Sequence, residues 1–161
     1  MMPIQTANYD LVTTWRGGMA SRTLCHSFAG DRRQKMRQKY VIDSDEPAAL
    51  GGKGQAPNPQ ELMLAAFNAC MTAAFVQEAC WVGITLTHLE IQTCGQLLTS
   101  LSPLWGQPAR EAPGRLQYVI RVSGHGRMFQ FEQAHQRVID SSLNRWLLAQ
   151  NMTIEGDLIV L

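Results

Sequence analysis

Alternating apolar and polar positions predict β-strands on both sides of one long apolar segment. The strands are predicted over six segments: 9–16, 21–28, 39–43, 86–99, 116–123 and 154–161. Gly17 and Gly18 lie where the first two strands would turn into a hairpin. Helical spacing after the fifth strand predicts two shorter helices, over 131–139 and 141–150. The order of these elements indicates an α+β fold with mostly antiparallel sheet.

The apolar segment has the sequence signals of a helix at both of its ends. Asn58 is a favourable N-cap, and Pro59 suits the first helical position, where no intrahelical donor is needed. Glu61 completes a capping box with Asn58, and Gly83 suits the left-handed residue that follows a last helical turn. These signals predict a central helix between Asn58 and Gly83.

Apolar side chains surround this helix on every side. Between positions 62 and 76 only Asn68 and Thr72 are polar, and a helix of this kind belongs inside a protein. The segment is shorter than the roughly 20 apolar residues of a membrane span, so no membrane partner is expected. Because two or three layers of structure cover such a helix only in part, the pattern predicts a homodimer with the helix at its centre.

Size and charge narrow the possible classes of protein. A chain of 161 residues with 45% hydrophobic content is expected to form one globular domain over 1–161. A net charge of +1 gives no general attraction to nucleic acid or to anionic membranes. The basic run over 32–39 has no interleaved aromatic residues and is interpreted as a solvated loop or strand face. No signal peptide is visible, which predicts a cytoplasmic location.

The motifs that usually mark a cofactor or metal site do not occur in the sequence. The glycine-rich segment 50–57 has neither the order of a phosphate-binding loop nor that of a dinucleotide-binding loop. The histidines lack metal-ligand spacing, and the four cysteines form no C-x-x-C pair or zinc spacing. We therefore predict no cofactor and no metal, which leaves Cys70 on the central helix as the conspicuous reactive group.

Four short motifs lie before and within the central helix: Leu50-Gly51-Gly52, Asn58-Pro59-Gln60-Glu61-Leu62, Ala65-Ala66 and Ala69-Cys70. Together they resemble the signature of the OsmC/Ohr family of osmotically induced and organic-hydroperoxide-resistance proteins. The resemblance implies an OsmC-like fold, in which mostly antiparallel sheets wrap around the central helices of an intertwined homodimer. It implies that Cys70 is the peroxidatic cysteine, which attacks a hydroperoxide and becomes a sulfenic acid. It also implies a bacterial protein of the oxidative stress response.

The sequence departs from this family at three catalytic positions. Met19 stands where family peroxidases carry an arginine after the hairpin glycines, and Gln60 stands where they carry a glutamate, with Glu61 next to it. The stretch 140–143, Asp-Ser-Ser-Leu, has no cysteine where the family has its resolving cysteine. Of the four usual catalytic residues, only Cys70 is in place.

The chemistry nevertheless indicates which residues could assist Cys70. A thiol reduces a peroxide as the thiolate, which a neighbouring cation stabilises, and Arg16 and Arg22 are the nearest candidates on the flanking strands. Gln60 and Glu61 begin the same helix, and Gln60 lies about 15 Å from Cys70 along its axis. Any contact of either side chain with the thiol therefore has to cross the dimer interface.

Two functions are compatible with these residues. In the first, the protein is a thiol peroxidase that reduces organic hydroperoxides, with Cys94 or an external small thiol reducing the sulfenic acid. In the second, it is a diverged and catalytically weak dimer that binds a small hydrophobic ligand at its interface. The retained Cys70 favours the first, and the three departures favour the second.

Overall fold

The computed structural model describes residues 9–28, 35–97 and 114–161, with side chains described except at 26–28 and 35–39. The chain divides into two compact units, Met1–Leu62 and Met63–Leu161. Each unit contains one three-stranded sheet. The organisation of 1–161 as a single domain stays a prediction.

The sheet of the first unit is antiparallel throughout, in the order β1-β2-β3. Its strands are β1 (Tyr9–Gly17), β2 (Ala20–Phe28) and β3 (Lys35–Ser44). The predicted hairpin is confirmed, because β1 pairs antiparallel with β2, and Gly17 and Gly18 at the turn take φ values of +100° and +56° that favour glycine. The third strand begins four residues earlier than predicted, and a short 3₁₀ turn, Ala48–Leu50, follows it. The side chains of the basic run over 32–39 lie outside the described part of the chain, so its interpretation as a solvated face stays a prediction.

The sheet of the second unit has the order β4-β5-β6. Its elements, in chain order, are α1 (Pro59–Trp81, which begins in the first unit), β4 (Thr85–Leu97), β5 (Gly114–His125), α2 (Met128–Ser141), α3 (Leu143–Ala149) and β6 (Thr153–Val160). β4 pairs with β5 antiparallel, whereas β5 pairs with β6 parallel. The α+β class with mostly antiparallel sheet is confirmed. Of the loop predicted over 102–114, residues 102–113 lie outside the described part of the chain, and Gly114 begins β5.

The predicted ends of α1 are confirmed by their hydrogen bonds and backbone angles. The Glu61 backbone N–H donates to Asn58 Oδ1 at 2.8 Å, and the Asn58 N–H donates to Glu61 Oε2 at 2.8 Å. This pair is the reciprocal capping box that the sequence indicates. Gly83 has φ +80° directly after the helix, so both ends of α1 are fixed by local sequence.

One stripe of α1 forms the centre of the core of the second unit. Its buried residues recur every fourth position: Phe67, Met71, Phe75 and Ala79. They belong to one cluster with buried residues of β5 and α2: Tyr118, Ile120, Val122, Phe131, Ala134 and Val138. The rest of α1 is less covered, and its exposed side chains between 65 and 76 include four alanines and Val76. Among the described residues of the second unit, the helix is therefore enclosed along this stripe.

The prediction that the apolar helix is too short to cross a membrane is wrong, because the helix is longer than a span requires. α1 has 23 residues, and among the described residues it alone is long and apolar enough for a span. Length and composition do not distinguish a span from a core helix. The packing of its buried stripe against β5 and α2 indicates a core helix.

Candidate functional site

Cys70 lies half-buried on α1, one residue before the buried Met71. Within the second unit its sulfur has a polar neighbour, because the Ser142 hydroxyl donates a hydrogen bond to Cys70 Sγ at 3.4 Å. Ser142 itself is 2% exposed. The reactive group selected from the sequence is thus paired with a buried hydroxyl from a residue 72 positions away.

Ser142 is held in place by its backbone on both sides. It follows α2, where its N–H donates to the Val138 carbonyl at 2.9 Å, and it precedes α3, where its carbonyl accepts from the Trp146 N–H at 3.0 Å. The next turn is anchored to α1, since the Asn144 side-chain amide donates to the Ala66 carbonyl at 3.0 Å. The short joint between α2 and α3 therefore sets the direction of the hydroxyl.

A second polar cluster lies in the same unit, around Tyr118. Its hydroxyl and His135 Nε2 are 2.9 Å apart, and the two rings meet edge to face at 5.8 Å. Burial raises the pKa of Tyr118, which the nearby Arg145 opposes. Burial also lowers the pKa of His135, and here Arg145 adds to the effect. This cluster favours a neutral imidazole paired with a neutral phenol.

The acidic and amide candidates of the sequence analysis lie in the first turn of α1. Glu61 is engaged in the capping box with Asn58, and Gln60 is half-buried beside it. Both residues belong to the first unit, whereas Cys70 belongs to the second. Their roles at the thiol stay predictions.

Arg16 and Arg22 also lie in the first unit, on β1 and β2. The Arg22 guanidinium donates to both carboxylate oxygens of Asp43, at 2.7 and 2.9 Å, and this bond lowers the pKa of Asp43. Arg16 is exposed and interacts electrostatically with the same carboxylate. The Arg22 guanidinium has further N–H donors beyond these two bonds, and the role of either arginine at Cys70 stays a prediction.

Cys94 is poorly placed to reduce an oxidised Cys70 in the same chain. The neighbouring Thr93 hydroxyl donates to Asn68 on α1, so Thr93 points to the face of β4 that α1 covers. Successive side chains of a strand point to opposite faces, and Cys94 is exposed. Cys94 therefore points away from the face of β4 that α1 covers, and the choice between the two reductants stays a prediction.

None of the described residues forms a group of three or more His, Cys, Asp or Glu side chains that could hold a metal ion.

A family model for OsmC-like proteins matches residues 52–155, which contain Cys70, Ser142 and the capping box. The chain belongs to the OsmC-like family. Members of this family are soluble. A search of curated proteins finds no match.

Solved structures of OsmC-like proteins share the fold of this chain. An OsmC-like protein from Mycoplasma pneumoniae is 13% identical with a TM-score of 0.67, and the match covers 96% of this chain and 97% of the other. An organic hydroperoxide resistance protein OsmC from Legionella pneumophila is 17% identical, with a TM-score of 0.63 over 96% and 99%. OhrB of Bacillus subtilis, an organic hydroperoxide resistance protein, is 16% identical, with a TM-score of 0.58 over 94% and 97%.

The sequence comparison with OsmC/Ohr proteins identified the stretch 140–143 only by the cysteine that it lacks. The structure shows that Ser142 of this stretch contacts the Cys70 sulfur. A serine at a break between two helical segments is a usual N-cap signal, and that signal gives no indication of a distant sulfur. Ser142 is therefore the functional candidate that sequence reasoning missed.

The half-buried His135 predicts how stability depends on pH. Its pKa is lowered in the folded protein, so between the folded and unfolded values the unfolded chain binds more protons. The stability that depends on neutral His135 is fully present above the pKa of the unfolded chain, about 6.5. It is lost as pH falls through the lower pKa of the folded protein. In melting curves between pH 8 and 4, His135→Asn should lose less stability on acidification than the natural protein. His88→Asn, at an exposed position of β4, should follow the natural protein; identical pH slopes for all three would contradict the assignment.

Proposed function

We propose that this OsmC-like protein reduces organic hydroperoxides through Cys70 and that an external small thiol restores it. The observation that supports the proposal is the half-buried thiol of Cys70, with the Ser142 hydroxyl donating to its sulfur. The names of two structural neighbours, from Legionella pneumophila and Bacillus subtilis, refer to organic hydroperoxide resistance. The membership of the chain in the same family supports the same class of substrate.

The reaction begins with the Cys70 thiolate, which is the nucleophilic form of the side chain. The sulfur bonds to the terminal oxygen of the hydroperoxide, the O–O bond breaks, and the alkoxide leaves and takes a proton from solvent. The sulfur is oxidised to a sulfenic acid, and the hydroperoxide is reduced to an alcohol. A small thiol then forms a mixed disulfide with Cys70 and releases water. A second thiol breaks that disulfide and regenerates Cys70.

The proposal includes a cytoplasmic homodimer. The support for a second chain is the exposed side of α1, where alanines and Val76 are open to solvent in the single chain. Small side chains allow two helices to approach closely, and a contiguous apolar surface on a soluble protein is a usual site of association. In such a dimer Gln60, Glu61, Arg16 and Arg22 of the partner chain are the candidates for assisting Cys70.

Trapping of the oxidised sulfur tests the reaction. The protein is treated with cumene hydroperoxide in the presence of dimedone, and each cysteine peptide is measured by mass spectrometry. We expect dimedone on Cys70 and turnover of the hydroperoxide when dithiothreitol is supplied. Cys70→Ala should lose both signals, and Cys94→Ala should keep them. An unlabelled Cys70 beside oxidised Cys80 and Cys94, which are exposed, would refute the peroxidase.

The alternative, a weakly catalytic dimer that binds a small hydrophobic ligand, is favoured by one observation. The Arg22 guanidinium is engaged with Asp43, and Met19 supplies no charge in the place of the family arginine. The same trapping experiment separates the two functions, because a ligand-binding protein leaves Cys70 without dimedone. Saturable binding of a fluorescent apolar probe by that unreacted protein would then support the alternative.

A further inference from the structure

The side chain of Ser142 does not take the role that its backbone position suggests. Ser142 is the N-cap of α3, with φ −72° and ψ 111°, yet its hydroxyl makes no capping hydrogen bond to that helix. A serine at an N-cap usually accepts from a backbone N–H of the first turn, which is worth about 1 kcal/mol of helix stability. Here the hydroxyl is directed to Cys70 Sγ instead.

The surroundings of this hydroxyl strengthen its effect on the sulfur. Ser142 is 2% exposed, so solvent competes little for the hydrogen bond. Hydrogen bonds to charged acceptors are stronger than those between neutral groups, and more so away from water. The contact is therefore stronger when the sulfur carries the negative charge of its nucleophilic form, because a neutral thiol is a weak acceptor.

The hydroxyl also differs from a thiol in what it can do after oxidation. A sulfenic acid condenses with a neighbouring thiol to form a disulfide and water. A serine hydroxyl offers no sulfur for that bond, so the oxidised Cys70 stays available to a thiol from solution. One side chain thus donates a hydrogen bond to the sulfur and leaves the next step to an external reductant.

We propose that Ser142 is a catalytic residue of this protein, which donates a hydrogen bond to the Cys70 thiolate and keeps the oxidised sulfur open to an external thiol. The second part rests on the proposed hydroperoxide reduction. The first part concerns the nucleophilicity of Cys70 and can be measured without any hydroperoxide. The two can therefore fail separately.

Alkylation of Cys70 by iodoacetamide at neutral pH, followed by mass spectrometry of its peptide, tests the first part. Ser142→Ala should react about tenfold more slowly than the natural protein, since it loses a hydrogen bond to a charged sulfur. Ser141→Ala, at the exposed neighbouring position, should react at the natural rate. Equal rates for all three proteins would overturn the role of Ser142.

A matched pair of variants covers the case in which Ser142→Ala disturbs the fold. Ser142→Thr keeps a hydroxyl, and Ser142→Val has nearly the same shape without one, so both change the packing alike. We expect alkylation of Cys70 to be several-fold faster in Ser142→Thr than in Ser142→Val. Equal rates in this pair would overturn the hydrogen bond as a determinant of reactivity. A hydroxyl-dependent rate without any hydroperoxide turnover would instead overturn the proposed peroxidase and leave the hydrogen bond standing.

Discussion

Ser142→Cys is expected to form an internal disulfide with Cys70 after one equivalent of organic hydroperoxide. The Ser142 hydroxyl oxygen lies 3.4 Å from the Cys70 sulfur, so the new thiol is placed beside the sulfenic acid with which it would condense. Intact mass spectrometry should show a protein lighter by about 2 Da, and dimedone labelling of Cys70 should be nearly abolished. Turnover should then require a reductant of disulfides.

Ser141→Cys is the control for this prediction. It adds the same thiol one residue earlier, at an exposed position at the end of α2. Its oxidised form should keep the dimedone label on Cys70 and show no internal bond to it. If Ser142→Cys keeps the same label, the hydroxyl and the sulfur do not approach each other in solution as they do in the structure, and the joint between α2 and α3 is placed differently.

Ala69→Glu is expected to separate the proposed dimer into monomers. Ala69 lies on the exposed side of α1, where a surface substitution in a monomer changes stability by only about 0.5 kcal/mol. In a dimer centred on α1 the same glutamate becomes a buried charge without a partner, which costs several kcal/mol. We expect the dissociation constant of the dimer to rise by about a thousandfold or more, since each 1.4 kcal/mol is a factor of ten.

Sedimentation at micromolar concentration measures this change. The natural protein should sediment as two chains and Ala69→Glu as one. Gln133→Glu adds the same charge at an exposed position of α2 and should leave the dimer intact. A natural protein that sediments as a stable monomer would refute the dimer directly, and unchanged association of Ala69→Glu would remove α1 from its interface.

Local sequence was sufficient for the ends of α1 and for most strands. The capping box of Asn58 and Glu61 and the positive φ of Gly83 depend on residues close in the chain, so their signals are complete in the sequence. The alternation along β5 likewise identifies its buried face, from Leu116 to Val122. The direction of β6 beside β5 is parallel, and alternation carries no information about strand direction.

The covered side of α1 could not be read from polarity, because apolar residues surround the helix. Side-chain size distinguishes the two sides better. Phe67, Met71 and Phe75 form the buried stripe, whereas the exposed side carries alanines. Large side chains fill the space between a helix and a sheet, and small ones leave a surface against which another backbone can pack closely.

The candidate site was predicted in part. Cys70 was identified from its helix and family motif, but its contact with Ser142 joins residues 72 positions apart and depends on the packing of α3 against α1. The orientation of Cys94 depends on the register of β4, which pairs Cys94 with Gln117. Such long-range placements follow from tertiary packing, for which one sequence contains no local signal.

The joint between α2 and α3 has a mechanical consequence. A single residue, Ser142, ends one helix and starts the next, so no loop is present to absorb a change in the angle between them. A tilt of α3 would swing the hydroxyl away from the sulfur, while the Asn144 bond to α1 resists that tilt. The rate at which the Cys70 thiol reacts would therefore report how rigidly α2 and α3 are held relative to each other.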